Sequence, residues 1–317
     1  MVLNLETKKV RRITDGSTWY STSGGFDYAW SPDSKWFTLE FIGNKHDPYS
    51  DIGLVSAQGN GEIINLTNSG YSSGSPSFAL DGNAILFTTE RYGMRAHASW
   101  GSLDDAMLVF LNQDAYDKFS LSKEDYELYK EANSDRKKVA AKDSSKVKDV
   151  VVELKNIEDR IVRLTPNSSN MGSTLISKDG KALYYLASTE SGRNLWKMDL
   201  NKKETKLLHK VDAGWTSLEM DKEGKTLFIL NGKNMQKMNL ASDDLKPIKY
   251  LAQVKLDLSA EREYMFDHVY KQQQKRFYNT NMHGVNWDAM TAAYRKFLPH
   301  IDNNCLLYTS PSPRDGL

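Results

Sequence analysis

Between residues 30 and 41 the chain reads WSPDSKWFTLEF: an aromatic-rich run, a polar turn, then a run in which apolar and polar positions alternate. Pro32 presets φ for a turn position, and Asp33 and Ser34 cap turns through their own side chains. The flanking Trp, Phe and Thr residues fit a pleated, half-buried surface, so the stretch predicts a β-hairpin. The same grammar returns at 78–89 (FALDGNAILFTT), 176–187 (ISKDGKALYYLA) and 220–231 (MDKEGKTLFILN). With Ser34, Gly82, Gly180 and Gly224 taken as equivalent, the spacings are 48, 98 and 44 residues. Units of about 40–50 residues with four strands each mark the blades of a β-propeller.

Each unit closes on a second strand–turn–strand: DIGLVSA–QGNG–EIINLT in the first and NLWKMDL–NKKE–TKLLHK in the third. Residues 2–14 read as such an ending without its inner half: either Met1 is internal to a longer protein, the favoured reading, or these strands close a ring from the far end. Blades are expected at about 22–67, from 72 onward, at 168–210 and at 211–250. The second is interrupted by 113–149, rich in charge and helix formers and poor in apolar anchors, read as a solvated helical or disordered insertion. Removing those 37 or so residues brings the spacing of 98 near 60. Strand character resumes at VVVELKNIEDRIVRLT (150–165). From 260 the period changes to helical, with a second helix at 287–298 ended by Pro299.

The expected fold class is therefore all-β, a β-propeller with about four four-stranded blades plus a terminal outer hairpin in an incomplete ring, followed by a short α-helical segment. The expected domains are 1–255, a partial propeller with its insertion at 113–149, and 256–304, helical. The last thirteen residues, CLLYTSPSPRDGL (305–317), fit neither pattern and read as the translated remnant of a sequencing adapter.

Composition narrows function mainly by exclusion. Lys and Arg total 42 against 41 Asp and Glu, so no charge excess favours nucleic acid or an anionic membrane. No apolar run is long enough to span a bilayer as a helix. A lone cysteine, Cys305, rules out an internal disulfide framework and a Cys-based metal site. Residues 70–74 (GYSSG) match G-x-S-x-G, but a nucleophile elbow needs a strand before it and a helix after it. Here the motif lies between two blades and reads as a small-residue link. The histidines (His46, His97, His209, His268, His283 and His300) show no metal-ligand spacing. His46 and His97 fall in loops at a propeller mouth, whereas His283 reads as a turn residue between helices. Met220, Met235 and Met238 read as blade core. The residues thus offer no cofactor site, no metal site and no catalytic residue.

The run RYGMRAHASWGSLDDAMLVFLNQDAYDKF (91–119), followed by VVELKNIEDRIVRLT (151–165), resembles the propeller of tricorn-type serine peptidases. The segment EREYMFDHVYKQQQKRFYNTNMHGVNWDAMTAAYRKFLPHI (261–301) is similar to the first helical part of their catalytic core. NMHGVNWDAM, placed directly after the blades, is the most specific part of that likeness. The resemblance implies a parent that trims peptides, with the propeller gating or channelling substrate and a serine nucleophile outside this stretch. The expected partner is a peptide or unfolded-protein substrate of that parent, with no nucleic acid and no membrane insertion, and room for a homo-oligomer. The chain itself is expected to be inactive. The resemblance favours the periplasm over the cytoplasm. The alternative is a non-enzymatic propeller similar to TolB or WD-repeat modules that binds protein.

Overall fold

A computed structural model describes residues 1–16, 27–43, 47–59, 61–95, 101–132, 147–188, 192–213, 216–232 and 234–309. They divide into two units, Met1–Lys249 and Tyr250–Leu317. The first opens with a hairpin, β1 (Val2–Leu3) and β2 (Val10–Arg11). Four meandering antiparallel sheets follow, each in sequential strand order. Blade 1 holds β3 (Tyr28–Trp30), β4 (Trp36–Phe41), β5 (Asp51–Ser56) and β6 (Ile64–Asn65). Blade 2 holds β7 (Ser73–Ala79), β8 (Ala84–Thr89), β9 (Asp105–Phe110) and β10 (Ile161–Arg163). Blade 3 holds β11 (Asn170–Ile176), β12 (Ala182–Ser188), β13 (Arg193–Asp199) and β14 (Glu204–Ala213). Blade 4 holds β15 (Thr216–Met220), β16 (Thr226–Asn231), β17 (Asn234–Asn239) and β18 (Leu245–Ile248). The four-bladed propeller arrangement and the helical segment after it are those the repeat predicts.

The repeated turn is built by its own side chains. In blade 1 Ser31 Oγ accepts from the amides of Trp36 (2.9 Å) and Lys35 (3.2 Å) and donates to Asp33. Blade 3 repeats this atom for atom: Ser177 Oγ accepts from Ala182 N (2.9 Å) and Lys181 N (3.2 Å) and donates to Asp179. In blade 4 Asp221 takes the serine's place, accepting from Lys225 N (2.7 Å) and Thr226 N (3.0 Å). Blade 2 has Ala79 there, and Asn83 Nδ2 bonds the Leu80 carbonyl instead. The four equivalent residues, Ser34, Gly82, Gly180 and Gly224, all have positive φ. The turns also touch one another in series. A Cβ on Gly180 would lie 2.7 Å from Leu80 Cδ2, and one on Gly224 2.8 Å from Lys178 Cβ. Glycine therefore serves both the local turn and the approach of the preceding blade.

Between blades the strand period of two sorts side chains onto alternate faces. In blade 2 Leu86 and Leu108 join the core shared with Leu183 and Tyr185 of blade 3. Their strand neighbours Ile85, Phe87, Met107 and Val109 join Ile52 and Leu54 of blade 1. Blade 3 repeats the device, with Tyr184, Leu186 and Leu195 meeting Leu218, Leu227 and Ile229 of blade 4. Met238 belongs to that core with 0% exposure, while Met220 and Met235 remain half-buried, so the methionine expectation holds fully at one position of three. Val2 and Ile13 of the opening segment pack on Phe37, Leu39 and Val55, covering part of blade 1's other face. Each fully buried Leu or Ile contributes roughly 1.5–3 kcal/mol relative to exposure.

A second polar device recurs at the first residue of the third strand. Asp51 accepts from Thr67 Oγ (2.8 Å), Asn65 Nδ2 (3.0 Å) and Ser69 N (3.0 Å). Asp105, with 0% exposure, accepts from Ser168 Oγ (2.6 Å), Thr165 Oγ (2.7 Å) and the Arg163 guanidinium (2.9 Å). In both blades the threonine hydroxyl also accepts the next backbone amide, Ile52 N or Ala106 N. Register places Asn194 and Asn234 at the same position in blades 3 and 4. These clasps tie the blade link to the third strand by hydrogen bonds to charge, stronger than neutral ones.

The insertion differs from its sequence reading in being anchored. It begins with α1 (Gln113–Ser120) and α2 (Lys123–Ala132). Asn112 caps α1 by accepting from Ala115 N (2.9 Å), and Ser122 with Asp125 caps α2. Tyr116 and Phe119 lie 5.8 and 5.0 Å from Phe110 between ring centroids, extending the core shared by blades 2 and 3. Two aromatics suffice, although average composition masks them. The return, VVVE at 150–153, is not the ladder strand its composition predicts. Val150 N bonds Asp33 Oδ2 (2.8 Å), Glu153 N bonds the Leu111 carbonyl (2.7 Å), and Val150 and Val152 pack on the core shared by blades 1 and 2. Buried Arg160 closes this return by donating to the carbonyls of Phe110, Lys155 and Glu153.

The second unit contains α3 (Leu258–Arg276), α4 (Trp287–Arg295) and α5 (Asn304–Thr309), so Cys305 lies in a short helix. Asp257 and Asn286 cap α3 and α4. Tyr270 and Trp287 stack at 6.2 Å, and Trp287 Nε1 bonds the Tyr270 carbonyl (3.3 Å). No described side chain of this unit is buried. Residues 310–317 lie outside the described residues.

Two pairs of substitutions test these devices. Gly224→Ala is expected to cost about 1–2 kcal/mol from the left-handed backbone alone, plus the collision with Lys178. Gly232→Ala, also at positive φ but with open space around it, carries only the first cost. Equal shifts in denaturant midpoint for the two would refute the inter-blade contact. Asp105→Ala is expected to lose roughly 3 kcal/mol by stranding Arg163 and Thr165, whereas Glu223→Ala, in an exposed turn, should be nearly neutral by the same measurement.

Candidate functional site

A meandering blade has two ends. At one lie the tight turns between first and second strands, whose polar side chains are committed to holding the turn. At the other lie the loops between second and third strands and the links between blades. In blades 3 and 4 these loops are short, joining Ser188 to Arg193 and Asn231 to Asn234. In blades 1 and 2 they run from Phe41 to Asp51 and from Thr89 to Asp105. Long loops on a rigid scaffold are where binding chemistry concentrates, and here they bring together arginines, tyrosines and carboxylates.

The Asp105 clasp forms the floor. Arg163, held by Asp105, places its guanidinium 4.9 Å from the centroid of Tyr92. Arg91 lies 5.6 Å from the same ring. Further along the loop Arg95 lies 5.8 Å from Tyr49, of the blade 1 loop, and 5.4 Å from Tyr71, of the blade 1–2 link. Arg95 and Ser102 pair in an isolated antiparallel bridge. Tyr92 is 48% and Met94 77% exposed, leaving an amphipathic surface open to solvent.

Beside it, Asp104 bridges blades 2 and 3 through its backbone, exchanging bonds with Ser169 at 2.8 and 3.0 Å. Burial, then the charges of Glu90 and Asp105, push its carboxyl up to about 6, against the opposing pull of Arg193. Glu40, between blades 1 and 2, is also raised by burial, and by Asp27, while a bond from Ser50 lowers it.

The positions singled out in the sequence fall elsewhere. Ser72, at the nucleophile position of the G-x-S-x-G match, gives its carbonyl to Glu90 N (3.0 Å). Ser73 is buried and donates to Thr89 Oγ1 (3.1 Å), and strand β7 follows where an elbow requires a helix. His46 and His97 lie outside the described residues. His209 Nε2 is 2.7 Å from the Asp243 carbonyl, whose carboxylate pairs with Lys206 and Lys197. His268 lies on α3 with its ring 6.0 Å from Tyr264. His283, at φ 55°, contacts the Tyr278 hydroxyl and the Asn279 amide within the turn between α3 and α4, and His300 sits in a single 3-10 turn. Among the described residues no three His, Cys, Asp or Glu side chains gather as metal ligands. No described helix is long and apolar enough to cross a membrane. The Arg–Tyr surface is invisible in the sequence because its members come from three separate loops. The repeated Asp–Thr clasp is legible there, as DIGLV…NLT and DAMLV…RLT.

The raised Asp104 carboxyl has a testable sign. A folded-state value above the unfolded one means the charged form is disfavoured in the fold. Asp104 is therefore harmless below about pH 4 and opposes folding increasingly as pH rises through about 6. Asp104→Asn is expected to raise the thermal midpoint at pH 7.5 and leave it unchanged at pH 4. An equal shift at both would show that its charge is not the cause.

Residues 258–305, the helices that follow the blades, match the family described as the tricorn protease C1 domain. A curated relative, a tricorn-like protease C-terminal subunit of Sulfurisphaera tokodaii, is 25% identical over 298 residues, covering 86% of this chain and 31% of the relative. A crystal structure of tricorn protease superposes with a TM-score of 0.61 at 12% identity, over 89% of this chain and 28% of that one. A TolB from Acinetobacter baumannii gives a TM-score of 0.44 over 69% of this chain. The chain thus spans about a third of the length of the tricorn-type proteins it matches. The helices that the blade repeat does not account for match the C1 domain of tricorn protease, and over most of its length the chain is similar to tricorn-like proteases.

Proposed function

We propose that this chain supplies the substrate-handling propeller and the opening helices of the catalytic core to a serine peptidase that degrades peptides. The observation that carries the reading is the C1 match at 258–305 directly after the fourth blade, the junction at which a binding propeller becomes part of a protease. The helical unit supports it physically. Tyr264, Val269, Tyr278 and Phe297 are all more than half exposed, and without buried side chains these helices need further apolar surface to pack on.

On this reading the propeller gates or channels peptides, and the chain by itself does not hydrolyse them. Acyl transfer requires a hydroxyl within hydrogen-bond reach of a base. Among the described residues no histidine bonds a serine: His209 engages a backbone carbonyl, and His283 a tyrosine and an asparagine. Peptide substrates and a periplasmic location belong to the same proposal.

The purified chain, incubated with unblocked fluorogenic peptides, is expected to give no turnover above buffer. Turnover abolished by a serine-directed inhibitor would overturn the assignment of roles. The coding sequence on either side of this stretch provides the second test. Flanks encoding a serine nucleophile and its histidine are expected, and flanks encoding no peptidase core would sink the reading.

A further inference from the structure

Several cations in the first unit are held by bonded acceptors. Arg160 has three carbonyls, Arg163 has Asp105, and Lys197 has Asp243. Arg91 and Arg95 differ. Both are exposed on the loop between β8 and β9, and among the described residues neither guanidinium has a carboxylate or carbonyl acceptor. Each is nonetheless placed by aromatic rings, Arg91 by Tyr92 and Arg95 by Tyr49 and Tyr71. A ring stabilises the guanidinium face and leaves its edge, with its donor fork, open. Tyr92 is in turn held from its other neighbour by Arg163, which the buried Asp105 fixes. The chain of contacts therefore runs from a buried carboxylate to an exposed cationic edge. An arginine held this way loses less side-chain freedom when it binds, and its fork matches a carboxylate. The nearby Tyr92 and Met94 surfaces offer apolar contact for the rest of a ligand.

We propose that Arg91 and Arg95, held on Tyr92, Tyr49 and Tyr71, form a recognition patch for acidic side chains of extended peptides at the loop end of blades 1 and 2. The proposal rests on the peptide-handling reading and adds to it a substrate preference.

Binding of labelled peptides to the whole chain, followed by fluorescence anisotropy, tests it. One probe is acetylated, amidated and alternates Glu with Gly. A second replaces every Glu by Gln, and a third is the Gln peptide with a free carboxyl terminus. The Glu peptide is expected to bind about tenfold more tightly than either Gln peptide, with affinity falling as salt rises. Arg91→Gln with Arg95→Gln should erase that advantage. Lys202→Gln, in an exposed turn at the other end of the blades, should preserve it, and circular dichroism would show that each variant is folded. Arg95→Lys should retain only part of the advantage, because the charge survives and the fork does not. Equal binding of Glu and Gln peptides, or an unchanged advantage in the double variant, overturns the patch and leaves peptide handling standing. A free-terminus Gln peptide binding as well as the Glu peptide also overturns it, by assigning the site to chain ends. Failure of every peptide to bind overturns both readings.

Discussion

A four-stranded sheet with apolar side chains on both faces cannot stand alone in water, and that constraint organises everything from Tyr28 to Ile248. The period of two along β8 sends Ile85 and Phe87 toward blade 1 and Leu86 toward blade 3. The same alternation along β12 sends Leu183 and Tyr185 back toward blade 2, and Tyr184 and Leu186 on toward blade 4. Blades 2 and 3 are thereby each the packing partner of two others, and stability is shared between neighbours. The turn ladder follows from the same stacking, because sheets brought this close press the turn of one blade onto the glycine of the next.

Polar residues divide into those that hold the stack and those left over. Ser31, Ser177, Asp221, Asp51 and Asp105 all spend their oxygens on neighbouring amides, hydroxyls or the Arg163 guanidinium. A side chain so engaged has little capacity to bind anything else. What remains available gathers at the loop end of blades 1 and 2, beside the Asp51 and Asp105 clasps, where longer loops add arginines with no carboxylate or carbonyl acceptor among the described residues. The rigid stack and the open patch are joined at Asp105, which fixes Arg163 and through it Tyr92.

The blade repeat was legible because turn chemistry is local. Ser-Pro-Asp-Ser and the three acidic-Gly turns call for positive φ at the same equivalent position, and all four equivalents have it. The helices at 258–276 and 287–295 were legible from their period and from the Pro299 stop. The anchoring of the insertion was not, since Tyr116 and Phe119 acquire meaning only when Phe110 stands beside them. The VVVE segment misled for a related reason: β-branched composition reports a half-buried extended surface, and the core shared by blades 1 and 2 supplies one without a strand ladder.

The sequence by itself determined the unit of construction, its number of repeats in this chain, and the change to helix beyond it. These are written in patterns spanning a few residues, and local dihedral preference with period-two burial suffices to read them. Tertiary structure alone decided the candidate site. Tyr49, Tyr71 and Arg95 are separated by a whole blade of sequence, and Arg163 reaches Tyr92 across the entire insertion. Their association depends on how far one sheet is rotated and pressed against the next, a quantity set by the packed cores and carried by no short stretch of chain.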